Sequence, residues 1–200
     1  PSLITTSLND LPSIAINKSN RNKYINMLEV LRVIMKILLI GSGAREHCIA
    51  ETLKKNKDTL LFSYLKSKNP GIVSLSKDFE SGNYDDLEKI RTFAKKIKPD
   101  FAFIGPEEPL SNGVVDLLNE IAILSVGPTK ELAQLETSKS FTRNLLKKYK
   151  ISGNPKFGIF NKNNINEAKK FLDEIGECVI KPDGLTGGKG VKVQEDHFHT

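Results

Sequence analysis

The sequence predicts an α/β protein: a parallel-sheet domain followed by an α+β segment. Between residues 36 and 126, short aliphatic runs alternate with helical periodicities across short links, which is the pattern of a doubly wound parallel sheet. After residue 129 the pattern changes to helices and then to a glycine-rich hairpin around residues 177–193. We therefore predict one domain at residues 35–137 and a second at residues 138–200.

The first 34 residues differ in composition from the rest of the chain. They contain five asparagines and no glycine, and they lack the compact apolar stretch of a secretory signal. We predict that they are an appended, disordered tract and that Met35 is the natural start of the protein. No apolar run in the sequence approaches the roughly 18 residues of a membrane span. We therefore expect no membrane partner and a cytoplasmic location.

The first predicted strand, turn and helix form a candidate ligand site. Residues 36–40 are typical of a buried parallel strand, and G-S-G-A-R-E-H at residues 41–47 leads into an amphipathic helix. A glycine turn that ends at a helix N-terminus suits an anion. The guanidinium of Arg45 can in addition form a forked contact with a phosphate or a carboxylate.

A nicotinamide enzyme is the alternative that this turn raises. The dinucleotide-binding fingerprint, however, requires a third glycine at the position of Glu46. It also requires an acidic residue at the end of the second strand, and residues 60–65 supply none. Both departures make this alternative the weaker one.

The next elements of the predicted sheet follow the same alternation. A helix capped by Asp85 or Asp86 ends before Pro99, and residues 101–104 form the next strand. A helix from near Leu110 then leads to a last strand at residues 121–126. These short links predict a parallel sheet covered by helices.

An acidic turn follows the strand at residues 101–104. Gly105, Pro106, Glu107 and Glu108 lie at the carboxyl edge of the sheet, where open α/β sheets bind ligands. Glu107 can contact a hydroxyl or an amine of a substrate, or it can stabilise the start of the following helix. The sequence leaves both roles open.

Two helices and a hairpin make up the predicted second domain, and another helix immediately precedes it. The helices span residues 130–136 and 138–149 and start a third time at Asn164, and we expect the third to bury Ala168, Phe171 and Leu172. We also expect both cysteines, Cys48 and Cys178, to be small core residues, because they lack disulfide or metal spacing.

The hairpin carries a glycine-rich loop at residues 182–190. Four of its residues are Gly184, Gly187, Gly188 and Gly190, and glycine allows successive backbone N–H groups to turn towards an oxyanion. Lys181 and Lys189 add positive charge beside them. A P-loop is excluded because Gly190 replaces the hydroxyl residue that binds magnesium, and because a strand follows instead of a helix. A ligand-free glycine hairpin remains the alternative without function.

Four segments together resemble the glycinamide ribonucleotide synthetase family of ATP-grasp ligases. They are M-K-I-L-L-I-G-S-G-A-R-E-H from Met35, I-G-P-E-E-P-L-S-N-G-V-V-D from Ile104, G-P-T-K-E-L-A-Q-L-E-T-S-K-S-F-T from Gly127 and K-P-D-G-L-T-G-G-K-G-V from Lys181. They occur in the order that the family has. One departure is Ala44, where the family usually has glycine.

The resemblance implies a fold, a reaction and a set of contacts. It implies a Rossmann-like (pre-ATP-grasp) domain followed by a truncated ATP-grasp domain. It also implies that the 200-residue chain by itself is catalytically inactive. The implied ligase joins glycine to phosphoribosylamine through glycyl phosphate and consumes ATP. Magnesium or manganese is the implied metal, with its ligands expected beyond residue 200 and none within the chain. No catalytic residue is assigned. The implied ATP contacts are Lys139, Lys181, Gly184, Gly187, Gly188, Lys189 and Gly190, and the implied substrate contacts are Gly41, Gly43, Arg45, Glu46, Gly105, Pro106 and Glu107.

The overall charge gives no separate evidence of a polyanion partner. The formal net charge is +6, but the lysines are scattered among acidic residues and form no basic stripe with aromatic residues between them. We therefore expect small-molecule substrates and no nucleic acid. Another ATP-grasp ligase, such as a biotin carboxylase, and a non-catalytic nucleotide-binding module remain the alternatives, and the sequence does not indicate the oligomeric state.

Overall fold

The computed structural model describes residues 34–187 and 189–197. Except for Ile34, the tract predicted at residues 1–34 therefore lies outside the described residues, and so does Gly188 of the glycine-rich loop. The described chain from Met35 onward forms one compact unit.

A parallel sheet of five strands is the centre of the fold. Its spatial order is β3-β2-β1-β4-β5, and every neighbouring pair is parallel. The strands are β1 (Met35–Ile40), β2 (Thr59–Leu65), β3 (Asp78–Ser81), β4 (Phe101–Ile104) and β5 (Leu124–Val126). This sheet with its connecting helices confirms the predicted α/β class and the Rossmann-like arrangement.

Strand β1 is buried on both faces. Leu38 and Ile40 belong to one apolar cluster, with Ile90 and Leu118 from the helices on that side. Ile37 and Leu39 belong to the cluster on the other side, which also contains Ala50, Leu61 and Ile72. Burial on both faces explains why this strand is a continuous aliphatic run and does not alternate between apolar and polar residues.

Eight helices are described. They are α1 (Ala44–Lys54), α2 (Pro70–Leu75), α3 (Leu87–Ile97), α4 (Glu107–Asn112), α5 (Val114–Glu120), α6 (Lys130–Thr137), α7 (Lys139–Lys148) and α8 (Ile165–Ile175). Asp86 caps α3 by accepting a hydrogen bond from the Lys89 N–H at 3.1 Å, as one of the two predicted caps. None of these helices combines the length and apolar composition that a membrane crossing requires.

Two boundaries near β4 and β5 differ from the sequence prediction. The helix predicted from near Leu110 starts at Glu107 and is interrupted at Gly113, where a φ of 88° suits glycine. The last strand is confined to Leu124–Val126, because Ala122, with a φ of 59°, closes a turn after α5. β5 lies at the sheet edge, and the Leu124 side chain is 75% exposed.

The part after α6 is packed more loosely. Strands β6 (Val179–Ile180) and β7 (Lys192–Val193) pair antiparallel, as predicted for the hairpin. The prediction of a buried face on α8 was wrong: Ala168, Phe171 and Leu172 are only half-buried, and Phe171 meets the ring of Phe160 at 5.5 Å between centroids. The two cysteines are also not core residues, because Cys48 is exposed on α1 and Cys178 is half-buried.

The difference in burial between two sheet positions predicts that a leucine-to-alanine substitution has very different effects on the free energy of unfolding. Leu38 is fully buried in β1, so Leu38→Ala should lower the free energy of unfolding by about 2–5 kcal/mol. Leu124→Ala, on the exposed edge strand, should change it by less than about 0.5 kcal/mol. Urea denaturation of the two variants measures both values. Equal costs would show that the burial of β1 is misassigned.

Candidate functional site

The carboxyl ends of β1 and β4 bring the predicted substrate residues together. The chain leaves β1 towards β2 on one side and later returns to β4 on the other, so the strand order reverses between β1 and β4. Such a reversal opens a crevice at the carboxyl edge of the sheet. The turn after β1 carries Gly41–Glu46, and the turn after β4 carries Gly105, Pro106 and Glu107.

Glu46 fills the space between these two turns. Its side chain is 3% exposed, and its Oε2 accepts a hydrogen bond from the Gly43 N–H at 2.7 Å. A Cβ atom at Gly41, Gly43 or Gly105 would meet the Glu46 side chain, and at Gly41 it would also meet the ring of Pro106. The three glycines are therefore required by the close approach of one glutamate.

The buried carboxylate changes what the turn can offer to a ligand. The Gly43 N–H, which could bind an anion at the start of α1, is already bound to the protein's own carboxylate. The other oxygen, Glu46 Oε1, is buried and makes no hydrogen bond within the described part of the chain. The glycine turn thus presents a protein carboxylate at the position where a dinucleotide-binding turn presents free N–H groups.

The end of β2 also differs from that of a nicotinamide-binding protein. After Leu65 the chain places Lys66, whose ammonium contacts both Glu108 oxygens at 2.6 and 2.7 Å. A cation therefore stands where an acidic residue would bind the ribose of the dinucleotide. This arrangement and the position of Glu46 both argue against the nicotinamide alternative.

Arg45 and Glu107 form an ion pair across the crevice. Arg45 Nη2 donates to Glu107 Oε1 at 3.0 Å, with the arginine side chain 72% and the glutamate side chain 32% exposed. The pKa of Glu107 lies below its ordinary value because its own backbone N–H and the Arg45 guanidinium stabilise the charged carboxylate. Glu107 is also the first residue of α4, so the structure gives it both a helix-end position and an open, charged oxygen.

Three residues that the sequence analysis did not select hold this edge in shape. Ser42 Oγ accepts hydrogen bonds from the Lys66 and Ser67 N–H groups at 2.8 and 3.2 Å and lies 3.0 Å from the Tyr84 hydroxyl oxygen. Asn69 Nδ2 donates to the Ser42 carbonyl at 3.1 Å, and Asn69 Oδ1 caps α2. The Asn-Pro-Gly turn at 69–71 was the sequence signal for this cap. Burial of Tyr84 raises the pKa of its hydroxyl.

The glycine-rich loop joins β6 to β7. Gly184, Gly187 and Gly190 have φ values of 93°, 56° and 84°, so three of the predicted glycines adopt conformations that favour glycine. Lys181 and Lys189 are exposed at the two ends of the loop, and the Lys189 N–H donates to the Thr186 carbonyl at 3.0 Å. Gly188 lies outside the described residues.

The start of α7 meets this loop. Lys139 Nζ donates to the Gly184 carbonyl at 2.7 Å, which brings together two predicted ATP-binding segments 45 residues apart. Asp183, which the sequence analysis missed, accepts a hydrogen bond from the Lys139 N–H at 2.7 Å. Only its place in the K-P-D-G motif could have indicated it.

An apolar cavity of about 380 Å³ lies beside Glu107. Leu110, Leu132, Ala133 and Leu135 form much of its wall, and Glu136 lies at its rim. The cavity is therefore an apolar hollow between α4 and α6, with Glu107 among its lining residues.

Solved structures with a similar fold define the class. The biotin carboxylase domain of 2-oxoglutarate carboxylase from Hydrogenobacter thermophilus is similar with a TM-score of 0.64 at 18% identity, over 80% of this chain and 37% of that one. The N5-carboxyaminoimidazole ribonucleotide synthetase of Thermotoga maritima gives 0.61 at 18%, over 80% and 40%. The phosphoribosylglycinamide synthetase of Anaerococcus prevotii gives 0.54 at 15%, over 81% and 39%. At 15–18% identity these structures show that the α/β fold of this chain is shared with several carboxylases and synthetases.

Sequence comparison identifies the family within this class. Residues 35–136 match the phosphoribosylglycinamide synthetase N domain, and residues 137–199 match the ATP-grasp (A) domain of the same family. The chain therefore belongs to the phosphoribosylglycinamide synthetase family, which confirms the resemblance found in the motifs.

Relatives with a high sequence identity are phosphoribosylamine–glycine ligases. Those of Methanococcus vannielii and Methanocaldococcus jannaschii are 55% and 53% identical over 163 residues, and that of Pyrococcus furiosus is 48% identical over 161 residues. Each match covers 80% of this chain. The chain spans 36–37% of the length of these relatives.

The fit between Glu46 and its glycines can be measured by a double-mutant cycle. Gly105→Ala should lower the free energy of unfolding by about 1–3 kcal/mol, because the added Cβ overlaps the buried Glu46 side chain. In a Glu46→Ala background the same change should cost less, because the overlapping atoms are gone. Urea denaturation of the four proteins gives the coupling. Additive costs would mean that Glu46 does not impose the glycine.

The Arg45–Glu107 pair predicts a pKa change that carbon NMR titration can follow. Arg45→Gln should raise the pKa of Glu107 towards its ordinary value without reaching it, because the larger contribution, from the glutamate's own N–H, remains. Since folding lowers this pKa, the pair stabilises the fold above the ordinary glutamate pKa and loses this effect as the pH falls through the lowered value. An unchanged titration in Arg45→Gln would show that the pair does not form.

Proposed function

We propose that this chain is the amino-terminal part of a phosphoribosylamine–glycine ligase of purine biosynthesis. In this reaction a glycine carboxylate oxygen attacks the γ-phosphorus of ATP, which gives glycyl phosphate and ADP. The amine of 5-phosphoribosylamine then attacks the acyl carbon and expels inorganic phosphate, so that glycinamide ribonucleotide forms. Family membership supports the proposal, and relatives at 46–55% identity carry this name.

One structural observation supports the nucleotide half of the proposal. The ammonium of Lys139 lies against the glycine-rich loop, at 2.7 Å from the Gly184 carbonyl. A positive charge at a loop with several positive-φ glycines is suited to nucleotide phosphate, because phosphoryl transfer depends mainly on positioning and on charge neutralisation. Exposed Lys181 and Lys189 add to this charge.

The substrate half rests on the carboxyl-edge crevice. Glu107 is ionised at neutral pH, and its lowered pKa extends this charged state to more acidic pH, so the carboxylate can accept hydrogen bonds from a ribose hydroxyl or an amine. Arg45, which is mostly exposed, is placed to meet an anionic part of the substrate while it holds Glu107. We therefore propose that the phosphoribosylamine binds along this edge.

The proposal assigns no metal to the described residues. Magnesium or manganese accompanies ATP in the family reaction, but no three His, Cys, Asp or Glu side chains within residues 34–187 and 189–197 form a metal-binding group. These residues do not fit a metal site, and we assign no chemical step to a metal here. We propose that the metal ligands belong to the protein beyond residue 200 and that the enzyme is cytoplasmic.

Nucleotide binding should depend on Lys181. In the full-length protein, Lys181→Ala should weaken ATP binding tenfold or more, because a charge-assisted contact is worth about 1.5–3 kcal/mol. Lys162→Ala, which removes an exposed lysine before α8, is the matched control and should bind ATP like the wild type. Calorimetric titration measures both. An unchanged ATP affinity in folded Lys181→Ala would remove this residue from the site.

The ligase activity itself is tested by ADP release from the full-length protein. Release should require both glycine and phosphoribosylamine, and glycinamide ribonucleotide should accumulate in equal amount. Another ATP-grasp ligase would respond to a different acceptor, and a non-catalytic nucleotide-binding module would bind ATP without releasing ADP. Either result would refute the proposed reaction.

A further inference from the structure

We propose that Asp183 is a positioning residue for nucleotide binding, which fastens the glycine-rich loop to the start of α7 and thereby holds Lys139 beside that loop. This inference rests on the proposed function, since it assigns Asp183 to the ATP site of the ligase. Neither composition nor the spacing of the lysines indicates such a role.

The Asp183 carboxylate forms the link between two distant segments. Its Oδ1 accepts hydrogen bonds from the Lys139 N–H at 2.7 Å and the Ser140 N–H at 3.3 Å, across more than 40 residues of sequence. Its Oδ2 accepts from the hydroxyls of Ser140 and Ser138, the latter at 3.3 Å. Oδ1 also accepts from the Gly184 N–H at 3.0 Å, which shapes the entry to the loop.

These hydrogen bonds, together with one from Ser138, engage the backbone N–H groups at the start of α7. A helix leaves its first N–H groups without partners inside the helix. Here the Asp183 carboxylate accepts hydrogen bonds from the N–H groups of Lys139 and Ser140. The Ser138 hydroxyl oxygen accepts one from the Phe141 N–H at 3.2 Å. The first regular helical bond then follows, from the Thr142 N–H to the Ser138 carbonyl. No N–H of this helix turn is left for a nucleotide phosphate, so α7 can offer only side chains.

Two consecutive loop residues bind Lys139, one at its backbone N–H and the other at its side-chain ammonium. Its backbone N–H is bound to Asp183 and its ammonium to the Gly184 carbonyl. A long lysine side chain that is already ordered loses less conformational freedom when it binds a ligand. Asp183 therefore acts on the nucleotide through Lys139 and need not touch it.

The negative charge of Asp183 fits this role better than a contact with phosphate would. A carboxylate repels a phosphate, but at a helix N-terminus its charge is compensated by the helix dipole and by the hydrogen bonds that it accepts. The Ser140 hydroxyl, together with the backbone N–H groups, stabilises the charged carboxylate of Asp183 and lowers its pKa.

The test is ATP binding by the full-length protein and by variants at Asp183 and Lys139. Asp183→Ala should weaken the binding of a non-hydrolysable ATP analogue about tenfold or more, measured by calorimetry. Asp183→Asn keeps one acceptor oxygen for the Lys139 N–H and should fall between the wild type and Asp183→Ala. Asp173→Ala, on the exposed side of α8, is the matched control and should bind like the wild type.

A double-mutant cycle separates positioning from general stability. If Asp183 acts through Lys139, the Asp183→Ala change should have little further effect in a Lys139→Ala background. In steady-state kinetics Asp183→Ala should raise the KM for ATP and leave the KM for glycine unchanged. Additive losses, equal effects on both KM values, or wild-type ATP affinity in folded Asp183→Ala or Asp183→Asn would overturn the inference.

The outcomes also distinguish this inference from the proposed function. A protein that binds ATP in the predicted Asp183-dependent way, but releases no ADP with glycine and phosphoribosylamine, would refute the proposed reaction and leave the role of Asp183 standing. A glycine-dependent ligase whose ATP affinity does not respond to Asp183 would do the reverse. Failure of the wild type to bind ATP would refute both.

Discussion

The two-sided burial of β1 is the constraint from which the rest of the sheet domain follows. Four consecutive residues of this strand, Ile37 to Ile40, are almost completely buried, and they alternate between two separate apolar clusters. Both clusters must be covered, so helices lie on both faces of the sheet and β1 has a strand on each side. The reversal of strand order next to β1 then opens the crevice that carries the candidate substrate site.

A shared feature of the two candidate sites is a helix start occupied by the protein's own carboxylate. At α1 the acceptor is Glu46, the third residue of the helix itself, and at α7 it is Asp183, from a different part of the chain. At α7 the N–H groups of Lys139, Ser140 and Phe141 are all engaged, whereas at α1 the carboxylate engages the N–H of Gly43. Side chains add positive charge at both places, namely Arg45 at the crevice and Lys139, Lys181 and Lys189 at the loop.

The comparison with solved structures separates what the fold determines from what the sequence determines. A biotin carboxylase domain shares this fold at 18% identity, so the fold alone does not identify a reaction. Family membership, by contrast, comes from the matched domains at residues 35–136 and 137–199. A fold accommodates many functions, so a specific reaction has to be argued from side chains and not from the shared frame.

The sequence by itself determined the elements and the glycine positions. Continuous apolar runs indicated β1 and β4, because a parallel strand is apolar on both faces, and a cap at Asp85 or Asp86 together with Pro99 indicated the ends of α3. The hairpin and the positive-φ residues Gly184, Gly187 and Gly190 were also predictable, since these depend on local backbone preference.

Only the tertiary structure decided which side chains meet. It placed Glu46 among three glycines from two turns, joined Asp183 to the start of α7, and left Leu124 and α8 more exposed than their apolar residues suggested. Local patterns fix backbone conformation through sterics and nearby hydrogen bonds. Burial and long-range contacts depend instead on which elements pack side by side, and a single stretch of sequence contains no information on its neighbours in space.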